Sequence, residues 1–229
     1  MPPPVDIPAA VAAIRDTTYD TRVFTLLPHV AGYPFAPGQH CLVDVGLNRP
    51  RPFSFSSSPL QQPGFEMAIK RAGVLTEQLF RLRVGDTITI SRPLSSRFSL
   101  APGERHLAMV AGGTGITPFM SIIRDAVWRK LPTRLTLVFA NKTAADIIYG
   151  PELAALAAQH PALTLVFTLT QAWPEGWTGE RGRIDGAMLR RHVADVREPR
   201  WLLCGPPPMV VALRRELVAF GVIPERIAV

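Results

Sequence analysis

Gly112-Gly113-Thr114-Gly115-Ile116-Thr117-Pro118 follows directly on the apolar run Leu107 to Ala111 and leads into Phe119-Met120-Ser121-Ile122-Ile123-Arg124. The apolar run reads as a buried strand. The segment after the glycines reads as a helix with Pro118 at or near its first turn. A strand, a glycine turn and a helix together make an anion site. Glycines let the backbone approach a phosphate, and the free N–H groups of the helix start point at it. No Lys-Ser or Lys-Thr pair follows, so the turn is not a Walker loop. It also lacks the third glycine of the standard dinucleotide fingerprint. Taken alone it has two readings, a phosphate cradle or a tight turn that packs a helix on a strand.

The sequence around it extends the pattern. From His106 onward strands and helices alternate. The strands are Leu107 to Ala111, Leu135 to Ala140, Leu163 to Leu169, Trp201 to Cys204 and Arg226 to Val229, and helices start near Pro118, Pro151, Gly186 and Pro208. Met209, Leu213, Leu217 and Phe220 mark one face of the last helix, which Gly221 is placed to stop. This predicts a five-stranded doubly wound parallel sheet of order 3-2-1-4-5. In that order the first and fourth strands are neighbours whose connections leave in opposite directions, opening a crevice at their carboxyl ends. The glycine turn and Cys204-Gly205-Pro206-Pro207-Pro208-Met209 then face each other across it, where a dinucleotide would lie. The prolines also serve to end a strand and start a helix. A cysteine such as Cys204 is commonly a small buried hydrophobe, but its place at the strand tip brings it to the ligand.

The first half has β character. Arg22 to Leu27, Cys41 to Val45, Phe65 to Lys70 and Asp86 to Ser91 are short β-rich runs, the last two alternating with period two. Leu75, Leu79 and Leu82 at helical spacing place one helix between them. The pattern predicts a small antiparallel barrel. The chain thus divides near Pro102-Gly103 into residues 1–102 and 103–229, a β domain followed by an α/β domain. At 229 residues, 47% hydrophobic and 19% charged, the composition is that of a globular protein. No apolar run is long enough for a transmembrane helix, and Met1-Pro2-Pro3-Pro4-Val5-Asp6 does not read as a secretory signal. Two cysteines, Cys41 and Cys204, are too few for a disulfide framework, a tetrahedral zinc site or an iron–sulfur cluster, so no metal is expected and a cytoplasmic location follows. The net charge of +7 points to an acidic partner or a polyanionic ligand, or carries no function at all. Its arginines are scattered singly, which argues against nucleic-acid binding.

With both turns in view, Arg51-Pro52-Phe53-Ser54-Phe55 gives the pattern a family. The chain resembles the ferredoxin–NADP reductase superfamily, and its cytochrome b5 reductase-like branch in particular, over nearly its whole length and in the family's order. The branch is suggested by Phe139-Ala140-Asn141-Lys142-Thr143 with Asp146-Ile147-Ile148, and by Trp173-Pro174-Glu175-Gly176-Trp177 with Gly179 and Gly182. The resemblance implies that the barrel binds a flavin and the parallel sheet a nicotinamide dinucleotide. It implies that Arg51 binds flavin pyrophosphate, that Phe53 packs on the isoalloxazine within the Pro52 to Phe55 motif, and that Ser54 hydrogen-bonds near flavin N5. It further implies that Ile69-Lys70-Arg71-Ala72-Gly73-Val74-Leu75-Thr76 holds the pyrophosphate, through amides near Gly73, Val74 and Leu75 and the Thr76 hydroxyl. On the other side Gly112, Gly113, Thr114, Gly115, Ile116 and Pro118, with Cys204, Gly205, Pro206 and Met209, hold the nicotinamide cofactor. The pyrophosphate pattern implies FAD rather than FMN. Three departures stand out: Phe53 replaces the family's tyrosine, Arg92 to Phe98 replaces a Pro-Tyr-Gly-x-Phe stretch, and no acidic–aromatic pair follows the last strand.

The function implied is hydride transfer from NADH or NADPH to FAD, followed by single electrons to a separate acceptor. Ser54 and Cys204 are the candidate catalytic residues. The end of the third strand, Thr168-Leu169-Thr170-Gln171, has no basic residue for a 2′-phosphate, which favours NADH, although Arg181 and Arg183 follow. The positive surface suits an acidic carrier such as a ferredoxin or flavodoxin. The alternative is a flavoprotein relay subunit that does not itself oxidise the nicotinamide.

Overall fold

Residues 3–229 are described in a computed structural model; Met1 and Pro2, the first residues of the proline-rich start, lie outside them. The N-terminal half is one six-stranded antiparallel sheet. Its strands are β1 (Val5–Thr18), β2 (Thr21–Pro28), β3 (His40–Asp44), β4 (Arg51–Ser54), β5 (Phe65–Lys70) and β6 (Thr87–Ser91), in the order β4-β3-β6-β1-β2-β5. Alternate residues face a core in which Phe55 packs against Phe35 and Phe65 at ring-centroid distances of 4.5 and 4.8 Å. The helix α1 (Val74–Arg81) buries Leu75 and Leu79 in that core, as the i, i+4 spacing dictates.

Residues 92–105 lead into the second sheet. It comprises β7 (His106–Gly112), β8 (Arg134–Asn141), β9 (Leu163–Leu169), β10 (Glu180–Arg181), β11 (Arg200–Cys204) and β12 (Ile227–Ala228). All pairs are parallel, in the order β10-β9-β8-β7-β11-β12. The five strands expected from the sequence keep the order 3-2-1-4-5. The expectation of five is corrected to six, because Glu180 pairs with Thr168 and Arg181 with Leu169 outside the third. Two polar residues carry no apolar run, so this strand has no sequence signal of its own.

Helices cover both faces of the sheet. One is packed by α2 (Ile116–Trp128) and α3 (Gly150–Gln159), the other by α4 (Gly186–His192) and α5 (Pro207–Ala219). Period two in β7 sends Leu107, Met109 and Ala111 to α2 and α3, and Ala108 and Val110 to α4 and α5. Both faces are buried, which is why β7 reads as a continuous apolar run. The carboxyl ends of β7 and β11 lie side by side, with Ala111 opposite Cys204, so the chain turns that follow them are neighbours.

Candidate functional site

Gly112 ends β7, and Gly113 to Gly115 make a single 3-10 turn that feeds α2, whose start carries no side-chain cap. The glycines are dictated by the neighbouring turn. A Cβ on Gly115 would lie 2.1 Å from the Cys204 carbonyl oxygen, and one on Gly112 would lie 2.7 Å from Pro206 Cδ. The two turns are therefore in backbone contact and form one wall.

That wall closes one side of a cavity of about 1040 Å3. Gly112, Gly113, Thr114, Gly115 and Pro118 line it, as do Cys204, Gly205, Pro206 and Met209 across the switch point. The barrel supplies the opposite wall through Pro52, Phe53 and Ser54 from β4 and Ile69 and Lys70 from β5. The structure thus gathers these expected residues, separated by up to 157 positions between Pro52 and Met209, around one space. The Ser54 hydroxyl makes no hydrogen bond among the described residues, so it is free for a ligand.

Other expected residues lie elsewhere. Phe55 is fully buried in the barrel's aromatic core, because the residue after Ser54 on an extended chain points to the opposite side. Ile116 is fully buried beneath the glycine turn, in the core under α2. Leu75 packs into the barrel, while Val74 is exposed. The Thr76 hydroxyl is engaged within its own turn: it donates to the Gly73 carbonyl at 2.9 Å and accepts from Ala72 N–H at 2.7 Å. Gly73 stands at the α1 N-terminus with φ 104° and no side-chain cap, next to the cavity-lining Ala72. Arg51 is exposed at the start of β4 and outside the cavity lining, with no carboxylate partner among the described residues.

Further residues also line the cavity. Thr18, Asp20 and Thr21 reach the cavity from the β1–β2 turn. Asp20 pairs with Lys70 at 2.7 Å. Burial works against the Asp20 carboxylate, but hydrogen bonds from Lys70, Thr18 and Thr21 outweigh it and hold its pKa low. The hydrogen bond to Asp20 likewise raises that of Lys70. Lys142 from the end of β8 and Arg183 beyond β10 also line the space, and neither forms an ion pair among the described residues. Arg181, the other basic residue after the third strand, instead stacks its guanidinium over Trp173 at 5.4 Å. The cavity therefore offers cations, open backbone turns and an aromatic wall. These suit a long, anionic, ring-bearing ligand.

Cys204 is a neutral member of this wall. Burial pushes its thiol up to about 11, and that of Cys41 up to about 12. Alkylation tracks the thiolate fraction. Iodoacetamide labelling of Cys204, followed by peptide mass spectrometry, is expected to be slow at neutral pH and to rise about tenfold per pH unit up to that range, while fully buried Cys41 stays unlabelled in the folded chain. Saturated labelling of Cys204 near neutrality would contradict this environment.

Comparison with known proteins agrees with this arrangement. Residues 109–215 match the family model described as the oxidoreductase NAD-binding domain. The chain is 34% identical over 216 residues to NADH-cytochrome b5 reductase 1 of Laccaria bicolor, covering 86% of this chain and 68% of the relative. It is 33% identical over 207 residues to NADH-cytochrome b5 reductase 1 of Neosartorya fischeri, covering 84% and 66%. The chain spans about two thirds of the length of such relatives. Among solved structures, the cytochrome b5 reductase domain of Ulva prolifera nitrate reductase superposes with a TM-score of 0.84 at 26% identity, covering 93% of this chain and 92% of that one. A match at 34% identity over 86% of the chain cannot be confined to one of the two sheets, so the chain belongs to the cytochrome b5 reductase branch of the ferredoxin–NADP reductase superfamily.

Proposed function

We propose that the chain is an FAD-dependent NADH oxidoreductase, with residues 1–102 as the flavin domain and 103–229 as the nicotinamide domain. The observation that carries this reading is the shared cavity. Its barrel wall holds Phe53 and the free Ser54 hydroxyl, and its other wall holds the paired Gly112–Pro118 and Cys204–Met209 turns. The residues present fit FAD: an uncapped helix start beside Ala72, an arginine without a carboxylate partner, and an aromatic ring on the wall.

Bound FAD would supply a ring that accepts a hydride and releases electrons one at a time. In this reading Arg51 and the amides at Gly73 hold its pyrophosphate. Phe53 presents an apolar face to the ring, and Ser54 Oγ donates a hydrogen bond to it. The glycine turn binds the dinucleotide phosphates through backbone N–H groups, helped by Lys142 and Arg183. The Cys204 turn, with its uncharged thiol, packs beside the nicotinamide and excludes water. The acceptor proposed is a haem protein of the cytochrome b5 kind, named for the relatives above, in place of the ferredoxin or flavodoxin expected from the resemblance and the positive charge. A net charge of +7 suits an acidic surface on that partner.

Anaerobic stopped-flow absorbance of the flavin-loaded protein tests the reading. NADH is expected to bleach the flavin band, and NADPH to do so less efficiently, since Thr168-Leu169-Thr170-Gln171 at the β9 terminus contains no basic residue of its own. Flavin that stays oxidised with both nucleotides overturns the oxidoreductase proposal in favour of a relay subunit. Faster bleaching by NADPH overturns the preference and points to Arg183.

A further inference from the structure

Arg124 lies in α2 and is only 3% exposed, yet it touches neither wall of the cavity. Its guanidinium uses four N–H donors, two within its own α/β half and two across the boundary to the barrel. Nε and Nη2 grip Glu152 of α3 at 2.7 and 2.8 Å. Nη1 donates to the Ser56 carbonyl at 2.9 Å and to Glu66 Oε2 at 2.8 Å, both on the barrel side. Tyr149, just before α3, donates its hydroxyl to Ser56 Oγ at 2.9 Å and lies under the guanidinium at 5.2 Å. Ser121 Oγ donates to the Ser57 carbonyl at 2.6 Å, and Ser58 Oγ to Asp125 at 2.8 Å.

Each of these segments runs within a few residues into the cavity. Ser56 follows Ser54 by two positions on an extended chain. Glu66 is on β5, which carries Ile69 and Lys70. Arg124 is on the helix that starts at the glycine turn, with Pro118 less than two helical turns away. Tyr149 directly follows the lining residue Ile148. The clasp therefore joins the flavin-side wall to the nicotinamide-side wall behind the space they enclose. An apolar interface would let these surfaces slide over one another. A planar fork with a fixed donor pattern admits a single arrangement.

We propose that Arg124 is a positioning residue: through the Glu66–Ser56–Glu152–Tyr149 clasp it fixes the spacing of the two cavity walls, and so the rate at which hydride passes between two rings it never touches. The inference rests on the oxidoreductase reading above. Each cofactor is held mainly by residues of its own sheet, so loosening the clasp disturbs ring-to-ring distance far more than either affinity. Small errors in that distance are costly, since a 1 Å misplacement lowers a rate by about 100-fold.

The test uses the flavin-loaded full chain with Arg124→Lys, Tyr149→Phe and Ser121→Ala. Three quantities are measured: bound flavin, the dissociation constant for NAD+, and the limiting rate of anaerobic flavin reduction at saturating NADH, normalised to bound flavin. For Arg124→Lys the limiting rate is expected to fall at least about tenfold, with the NAD+ dissociation constant moving less than about threefold. Tyr149→Phe and Ser121→Ala, each losing one hydrogen bond across the boundary, should show smaller losses of the same kind. Should Arg124→Lys fail to fold, those two variants decide. Normalised rates within about twofold of the parent, or losses matched by equal losses of affinity, overturn the proposal. A parent protein that NADH does not reduce overturns the oxidoreductase reading itself, and this inference with it.

Discussion

Gly115→Ala is expected to weaken NAD+ binding by about 100-fold while leaving the flavin site loaded. The backbone at Gly115 has φ −59° and ψ −12°, which alanine adopts readily, so conformational strain has no part in the effect. The conflict is one of space. The added Cβ would lie 2.1 Å from the Cys204 carbonyl oxygen, 2.5 Å from its carbon and 2.9 Å from Gly205 N. All three are backbone atoms in the turn that ends β11, and none can rotate away. One turn has to move outward by roughly 1 Å to restore ordinary contact. Overpacking of this kind costs about 1–3 kcal/mol, which the fold can absorb, but the phosphate cradle is displaced. Calorimetric titration with NAD+ and the flavin-to-protein absorbance ratio check both halves of the expectation. A variant that binds NAD+ within about threefold of the parent would falsify the assignment of these two turns to the dinucleotide.

The parallel half of the fold was legible because its signals are local. Buried parallel strands are unbroken apolar runs, and Pro118, Pro151, Gly186 and Pro208 mark the starts of helices observed at Ile116–Trp128, Gly150–Gln159, Gly186–His192 and Pro207–Ala219. The barrel was less so. β1, the longest strand at 14 residues, escapes the sequence reading: Ile7, Ala9 and Val11 point inward, but Ala10, Ala12 and Ala13 flatten the alternation and Pro8 interrupts it. Pro8 is tolerated there, and its carbonyl still accepts from His29 N–H at 2.8 Å. β10 is legible only once β9 is in place to pair with it.

The site divides the same way. Strand-end turns such as Gly112–Pro118 and Cys204–Met209 announce themselves, since their residue types are forced by backbone contact. Phe55 and Leu75 lie within the motif stretches, yet their side chains turn into the barrel core, Phe55 by strand alternation and Leu75 by helical spacing, which leaves only their backbones to face a ligand. Ser56, Ser57 and Ser58 look like an extension of the flavin motif, yet four of their partners, Tyr149, Ser121, Arg124 and Asp125, lie more than 60 positions away. Nothing in the local pattern of three serines foretells an interface, because the recognition is long-range and polar. The same holds for Thr18, Asp20 and Thr21, which the topology alone brings to the cavity.

Trp201→Ala is expected to remove about 3–5 kcal/mol of stability, a large share of the roughly 5–15 kcal/mol that holds a domain folded. Trp201 is fully buried near the start of β11, on the face covered by α4 and α5, where Met188, Leu189, Leu213 and Leu217 share its cluster. Its indole N–H also donates to the Val196 carbonyl at 2.8 Å. Alanine leaves a cavity and an unpartnered carbonyl together. Trp201→Phe separates the two effects, since it keeps most of the ring volume and loses the donor, at a cost of about 1–3 kcal/mol. β11 also delivers the Cys204 turn to the cavity, so the damage is not spread evenly. In denaturant titrations followed by far-UV circular dichroism, Trp201→Ala should unfold at the lower midpoint of the two. Its NAD+ binding should be lost before its flavin is released, because the barrel wall does not rest on β11. A loss for Trp201→Ala smaller than that for Trp201→Phe would mean that the hydrogen bond, and not the ring, anchors this strand.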